Sequence, residues 1–400
     1  MTARMMISGM LKHLTGNLHA KLRAALAAAV DAVLRGGHLS LSQLARAVNS
    51  RTAMRYRIKR VDRLLGNHSL YTARAAIYQQ VADYWLAGIG EVLVVIDWSD
   101  ATTDQRWHLL RASIAVKGRS VTLYEEIHPQ RKYGNQQVHQ HFLARLATIL
   151  PVGSRPIIMT DAGFRSTWFD LVNEQRWPWV GRIRGKDMVS IANGPWRRCT
   201  EVFLDATSDI QSFAEARYVR SHPTACRLIL LKRQAKNRHR HTKRGSLSRA
   251  RSSINASRSA KEPWLLACSP VLGQRSAVDL VAMYAQRMQI EESFRDLKNE
   301  RLGLGFSAAR SRSGRRLEIL LLIAHLASWL MRVIGECAQA CQMQKFFQSV
   351  PKLKHKEISV MTLARRVIDA GAFWLRQLHP QNAREILREQ ATMNSRAAYI

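Results

Sequence analysis

The sequence predicts a mixed α/β protein: an α/β core interrupted by a β-rich insertion, with all-α regions at both ends. Three observations predict it. Residues 1–88 carry helical patterns and no strand-like run. From Glu91 onward, short apolar runs alternate with helical stretches, the texture of an α/β core. Between about 188 and 270 strand-like runs surround a dense cationic stretch, and helix resumes near 277.

The N-terminal region reads as helices throughout. Residues 18–34 are rich in Ala and Leu and stop at Gly36-Gly37. Ser40 opens a short helix, LSQLARAV, which ends at Asn49-Ser50. A second helix, from about Thr52, carries Met54, Ile58, Val61 and Leu65 on one stripe and Arg55, Lys59 and Arg63 on another. A short helix, a turn and a basic amphipathic helix are compatible with a helix-turn-helix DNA reader, with Arg55, Lys59 and Arg63 as its DNA-binding residues. A plain helical bundle with a solvated basic face would show the same pattern.

The core begins at 92–96, an apolar run expected to end at Asp97. Residues 107–116 and 119–127 read as strands joined by a hairpin at Lys117-Gly118. A helix over 136–150 follows, then a short strand over 156–160 ending at Asp161, a helix over 165–176 and a strand over 179–183. The insertion spans 188–270. It contains strand-like runs at 226–231 and 264–268, and its cationic stretch, KRQAKNRHRHTKRGSLSRARSS, lies in a segment without Asp or Glu from 216 to 261. Core sequence resumes over 271–340. Further helices are expected over 315–342, 357–378 and 381–392, with a break at 352–356. The expected domains are therefore 1–88, 89–187 with 271–340, the insertion 188–270, and a helical region 341–400 that could mediate assembly.

Charge narrows the function. Against 29 acidic residues stand 62 Lys and Arg, a net charge of +33 over 400 residues. An excess this large calls for a polyanionic partner, and nucleic acid is the first candidate. An anionic membrane surface would want one basic amphipathic helix, whereas these cations are spread along the chain. The apolar run 317–334 contains Glu318, His325 and Arg332, which suits a buried helix and not a membrane span. The five cysteines show no disulfide or zinc spacing, and the N-terminus has no continuous apolar signal core. A reducing, cytoplasmic setting is expected.

Three carboxylates and a stripe carry the chemistry. Asp97 and Asp161 each follow an apolar strand. At the C-terminal ends of adjacent parallel strands they would meet at one sheet edge, where α/β active sites gather. Asp100 is a competing carboxylate, discounted as lying in a turn. In YAQRMQIEESFRDLK, Tyr284, Arg287, Glu291 and Lys298 fall on one narrow helical stripe, the last three at roughly 300°, 340° and 320° from the first. Glu292 points away, and Ile290, Phe294 and Leu297 would pack the helix down. A helix laced with i,i+3 and i,i+4 ion pairs is the plainer reading. Three carboxylates, however, can hold two divalent ions roughly 4 Å apart for phosphoryl transfer, and hard oxygen ligands favour magnesium or manganese.

VVIDWSD, TDAGF and the Tyr284-x2-Arg287-x3-Glu291-x6-Lys298 signature resemble the DDE transposases of bacterial insertion sequences, family four. RIKRVDRLLGN, LRASIAVKGRSVTLYE, KEPWLLA and RMQIEESFRDLK are similar to its insertion-sequence-ten branch. The resemblance implies a ribonuclease-H-like catalytic core with a β insertion before its last helix. It implies Mg2+-dependent cut-and-paste chemistry, with Mn2+ as a substitute, through a hairpin at the transposon end. By motif position, Asp97, Asp161 and Glu291 take the catalytic and metal-ligand roles. Tyr284, Arg287 and Lys298 take phosphates of the transposon end, and Trp264 either stacks on an extruded base or packs in the core. The implied partners are double-stranded DNA, as transposon ends and target, and a second copy of the chain in a synaptic homodimer, with no membrane. A non-catalytic repressor built on a transposase and a ribonuclease-H-like nuclease are the competing functions.

Overall fold

A computed structural model describes residues 3–116, 118–233, 261–301, 303–349 and 358–396. The expected basic stretch of the insertion beyond Arg233, Lys117 of the hairpin and the break at 352–356 lie outside the described residues. The described chain forms two compact units, one from residues up to Arg155 together with Met288–Ser395, the other centred on Pro156–Arg287.

The first unit opens with five helices: α1 (Ala3–Leu14), α2 (Ala20–Leu34), α3 (Leu41–Ala47), α4 (Met54–Leu65) and α5 (His68–Leu86). Ser40 caps α3 by accepting from the Gln43 N–H, and Asn67 caps α5 by accepting from Leu70. Gly36, at φ +88°, takes the left-handed conformation that ends α2. Six residues join α3 to α4, and the two helices pack together. Only the C-terminal half of α4 is anchored, through Val61, Leu64 and Leu65. Met54 is 38% exposed and Ile58 half-buried, so the apolar stripe of this helix does not run its whole length.

Three strands follow: β1 (Glu91–Asp100), β2 (Trp107–Val116) and β3 (Arg119–Pro129), in the antiparallel order β3-β2-β1. Gly118, at φ +79°, turns the β2–β3 hairpin. Here the structure corrects the expected end of β1. The strand passes Asp97 and runs on through Asp100, pairing Asp97 with Arg111, Trp98 with Leu110, Ser99 with Leu109 and Asp100 with His108. The apolar run stops at Ile96 because the strand leaves the core there, while β2 continues to supply hydrogen bonds. Asp100 is thus a strand residue and not part of a turn. Helix α6 (Gln136–Ile149) follows, capped by Asn135.

The second unit contains β4 (Arg155–Thr160), α7 (Ser166–Glu174), β5 (Trp179–Ile183), β6 (Met188–Ile191), β7 (Arg197–Arg198), α8 (Cys199–Val202), β8 (Gln211–Tyr218), β9 (Thr224–Leu231), β10 (Trp264–Cys268) and α9 (Ala277–Ala285). Its strands are ordered β4-β5-β10-β9-β8-β6-β7, with β4 and β5 parallel and the remaining pairs antiparallel. β10 pairs with β5, so the strands of the 188–270 segment extend the sheet to which β5 belongs. Gly181 allows close packing over β5: a Cβ there would stand 2.4 Å from the Phe169 ring, which stacks on Trp179.

The chain then returns to the first unit with α10 (Met288–Lys298), α11 (Gly314–Ala340), α12 (Gln344–Phe347), α13 (Val360–Ala370), α14 (Ala372–Leu375) and α15 (Pro380–Arg396). α11 is long and apolar enough to cross a membrane, but 94% of its apolar window is buried inside the protein, against α2, α4, α5, β3 and α13. The single helix expected over 357–378 is two, because Gly371 at φ +99° breaks it between α13 and α14. All five cysteines are free, and four are buried.

Candidate active site

The stripe expected on one helix is divided. Tyr284 ends α9, Arg287 lies in the break, and Glu291 and Lys298 stand on α10. The Gln286 and Arg287 N–H groups each reach back three residues, to Met283 and Tyr284, which tightens the chain and closes α9. No Gly or Pro marks this break. Each helix buries its own apolar face: Leu280, Met283 and Tyr284 on α9, and Ile290, Phe294 and Leu297 on α10.

In the first unit, α10 packs over β1, β2 and β3. Glu291 and Lys298, two turns apart, keep a common face. Asp97 is 8% exposed, and its Oδ1 accepts the Trp98 N–H at 2.8 Å. The Lys298 ammonium donates to Ser99 Oγ at 2.6 Å and lies 5.7 Å from the Phe294 ring centre. Burial draws the pKa of Lys298 below the usual lysine range. Asp100 and then Asp97 oppose that shift, and Arg111 adds to it. Glu292 points elsewhere and pairs with Arg295 at 2.5 Å.

Beneath this face lies Arg111, the cross-strand partner of Asp97. Its guanidinium holds Glu125 on β3 at 2.6 Å, with Tyr78 donating to the same carboxylate at 3.1 Å, and it sits 4.9 Å from the Phe294 ring centre of α10. One buried cation thus ties β1's neighbour, β3 and the helix of Glu291 together. Ser293 adds hydrogen bonds to Ser120 of β3, and Asp296 pairs with Arg119 at 2.6 Å.

In the second unit, Asp161 follows β4 as expected. It is half-buried, and its Oδ1 accepts the Gly163 N–H at 2.8 Å. Trp264 opens β10, half-buried, with Tyr284 edge-on at 4.9 Å and the Arg233 guanidinium 4.2 Å from its ring centre. Tyr284 itself is 3% exposed, so its ring is a packing element at least as much as a surface one. Two cations not singled out in the sequence belong here. Arg182 bonds the Pro263 carbonyl at 3.4 Å, and burial, with the charges of Arg184 and Arg287 adding to it, lowers its pKa. The alternation in WVGRIRG, which puts Arg182 and Arg184 on one strand face, could have revealed them.

The expected DNA-binding residues of the N-terminal region, Arg55, Lys59 and Arg63, are all exposed on α4. Beside them the Tyr56 ring is 51% exposed and carries Arg55 against its face at 4.7 Å. Asp97, Asp161 and Glu291 each offer hard carboxylate oxygens, the ligand type that suits a divalent cation. Among the described residues no group of three or more His, Cys, Asp or Glu side chains is arranged to hold a metal ion.

A buried strand carboxylate, a lysine bonded to the same strand and a strongly cationic chain suit the handling of a polyanion. The family model of the transposase DDE domain matches residues 89–330, and the chain belongs to that family. It is therefore a DDE transposase, of a family whose domains generally use divalent metal ions. No curated protein matches the chain.

Proposed function

We propose that the protein is a Mg2+-dependent cut-and-paste transposase of insertion-sequence family four, close to its insertion-sequence-ten branch. It binds the terminal inverted repeats of its element, excises the element through hairpin ends and joins the 3′ ends to target DNA. It works in the cytoplasm as a DNA-bound homodimer that holds two ends. The order β1-β2-β3-α6-β4-α7-β5 supports a ribonuclease-H-like core. The observation that carries the reading is the Asp97 face: a buried carboxylate fixed by Trp98, with Lys298 held on the same strand through Ser99 and α10 presenting Glu291.

Asp97, Asp161 and Glu291 would hold the metal ions. When bound, these ions activate a water or 3′-hydroxyl and stabilise the leaving oxygen. Lys298 and Arg287 supply cationic donors for the phosphates flanking the cut, and Tyr284 braces Trp264. Arg111 fixes the spacing between β1 and α10. The exposed cations of α4 read the transposon end.

The test is direct. Purified protein is incubated with Mg2+ and DNA carrying the element's terminal sequences, and the products are resolved on a denaturing gel. Hairpin ends, absent without metal, are the expected product. Intact DNA with all three carboxylates present would leave a non-catalytic DNA-binding protein.

A further inference from the structure

The loop after β3 carries a feature that the proposed mechanism does not use. β3 runs parallel to β1, with β2 antiparallel between them, so the C-terminal ends of β1 and β3 reach one edge. Asp97 to Asp100 lie at that edge, and so does the loop 130–135. There Arg131, Lys132 and Tyr133 are exposed, Tyr133 by 51%. The ring directly follows two unburied cations, Arg131 and Lys132, in the chain.

The ring is firmly placed. It stands 5.1 Å from Trp98 and 4.8 Å from His108, centre to centre. Trp98 Nε1 in turn donates to His139 Nε2 at 3.1 Å, and burial keeps His139 neutral, its pKa lowered to about 4, so that nitrogen remains an acceptor at working pH. His108 bonds Gln130 and faces Asp100 at 3.2 Å. The backbone closes the loop through Tyr133 N–H to Gln130 and Asn135 N–H to Lys132, and Asn135 then caps α6. A half-exposed aromatic held by two neighbouring rings loses little freedom when it accepts a further one.

Side chains alternate along β1, so Trp98 lies on the opposite sheet face from Asp97 and Ser99. The platform built on it therefore sits across the strand edge from the carboxylate. We propose that Tyr133, with Arg131 and Lys132, is a docking site for an unpaired nucleobase of a DNA strand leaving the cleavage face, the cations taking its phosphates. This rests on the transposase reading, and it is separate from the base expected at Trp264. Every base offers a π-face, so the site is indifferent to sequence and selects unstacked DNA over intact duplex.

The experiment uses the full-length protein in chelator and two fluorescent probes of arbitrary sequence: a duplex, and the same duplex with a short unpaired bulge. Wild type should bind the bulged probe about tenfold more tightly, the scale of one stacked base. Tyr133→Ala should lose that preference, and Tyr133→Phe should keep it. Arg131→Ala with Lys132→Ala should weaken both probes equally and flatten the salt dependence by about two phosphate contacts. Tyr133 lies on the surface, so an unchanged melting temperature is expected throughout. A preference for the bulge that survives in Tyr133→Ala, or none in wild type that still binds duplex, overturns the platform alone. Failure of wild type to bind either probe removes the transposase reading with it.

Discussion

Lys298→Met separates chemistry from stability. Lys298 is half-buried against Phe294 and holds Ser99, and its pKa lies below the usual lysine range because burial disfavours the ammonium. A charge-assisted hydrogen bond to a phosphate is worth roughly 1.5–3 kcal/mol. At about 1.4 kcal/mol per decade, its loss should slow cleavage by roughly 10- to 150-fold. The stability effect has the opposite sign. Between the lowered folded pKa and the unfolded value near 10.5, the unfolded chain binds more protons, so stability rises with pH through that window. Below the window the buried charge is a burden, and Met, of similar volume, should leave the melting temperature equal or higher at neutral pH. The same shift gives an alkaline limb: wild-type cleavage should fall as pH rises through the lowered pKa, while Lys298→Arg stays charged and lacks that limb. Single-turnover cleavage against pH, beside thermal melting of each variant, reads both effects. Cleavage by Lys298→Met at the wild-type rate, or an alkaline limb retained in Lys298→Arg, would refute the phosphate role.

Asp97→Ala, Asp161→Ala and Glu291→Ala should each abolish strand cleavage yet retain end binding in a mobility-shift assay, whereas Glu292→Ala, which loses only its Arg295 pair, should cut normally. Replacing Arg55, Lys59 and Arg63 together with Ala should weaken end binding in a footprint with no loss of melting temperature, since all three are exposed; equal loss on all DNA would assign them to phosphates instead of base edges. Trp264→Ala should permit the first nick and slow hairpin formation about ten- to a hundredfold. Because Tyr284 leans on that ring, a parallel drop in melting temperature together with equal loss of nicking would make Trp264 a packing residue.

What could be read from the sequence follows from how each element is stabilised. β2, β5, β10 and α6 lie where their apolar runs place them, because burial alone selects those segments. Ile290, Phe294 and Leu297 face the core as their spacing requires. The last residues of β1 were illegible because cross-strand hydrogen bonds, and not the burial of apolar side chains, carry the strand from Asp97 to Asp100. The break between Tyr284 and Met288 was illegible for a related reason. Helical periodicity continues through it without Gly or Pro, and the break shows only in the backbone, where the Gln286 and Arg287 N–H groups reach back three residues and close α9 before α10 begins. A helical stripe over 284–298 therefore attributes the relation of four side chains to one rigid rod. Glu291 and Lys298 do share such a rod, while Tyr284 and Arg287 are positioned by the second unit. Substitutions on α10 should accordingly act on Glu291 and Lys298 as a pair.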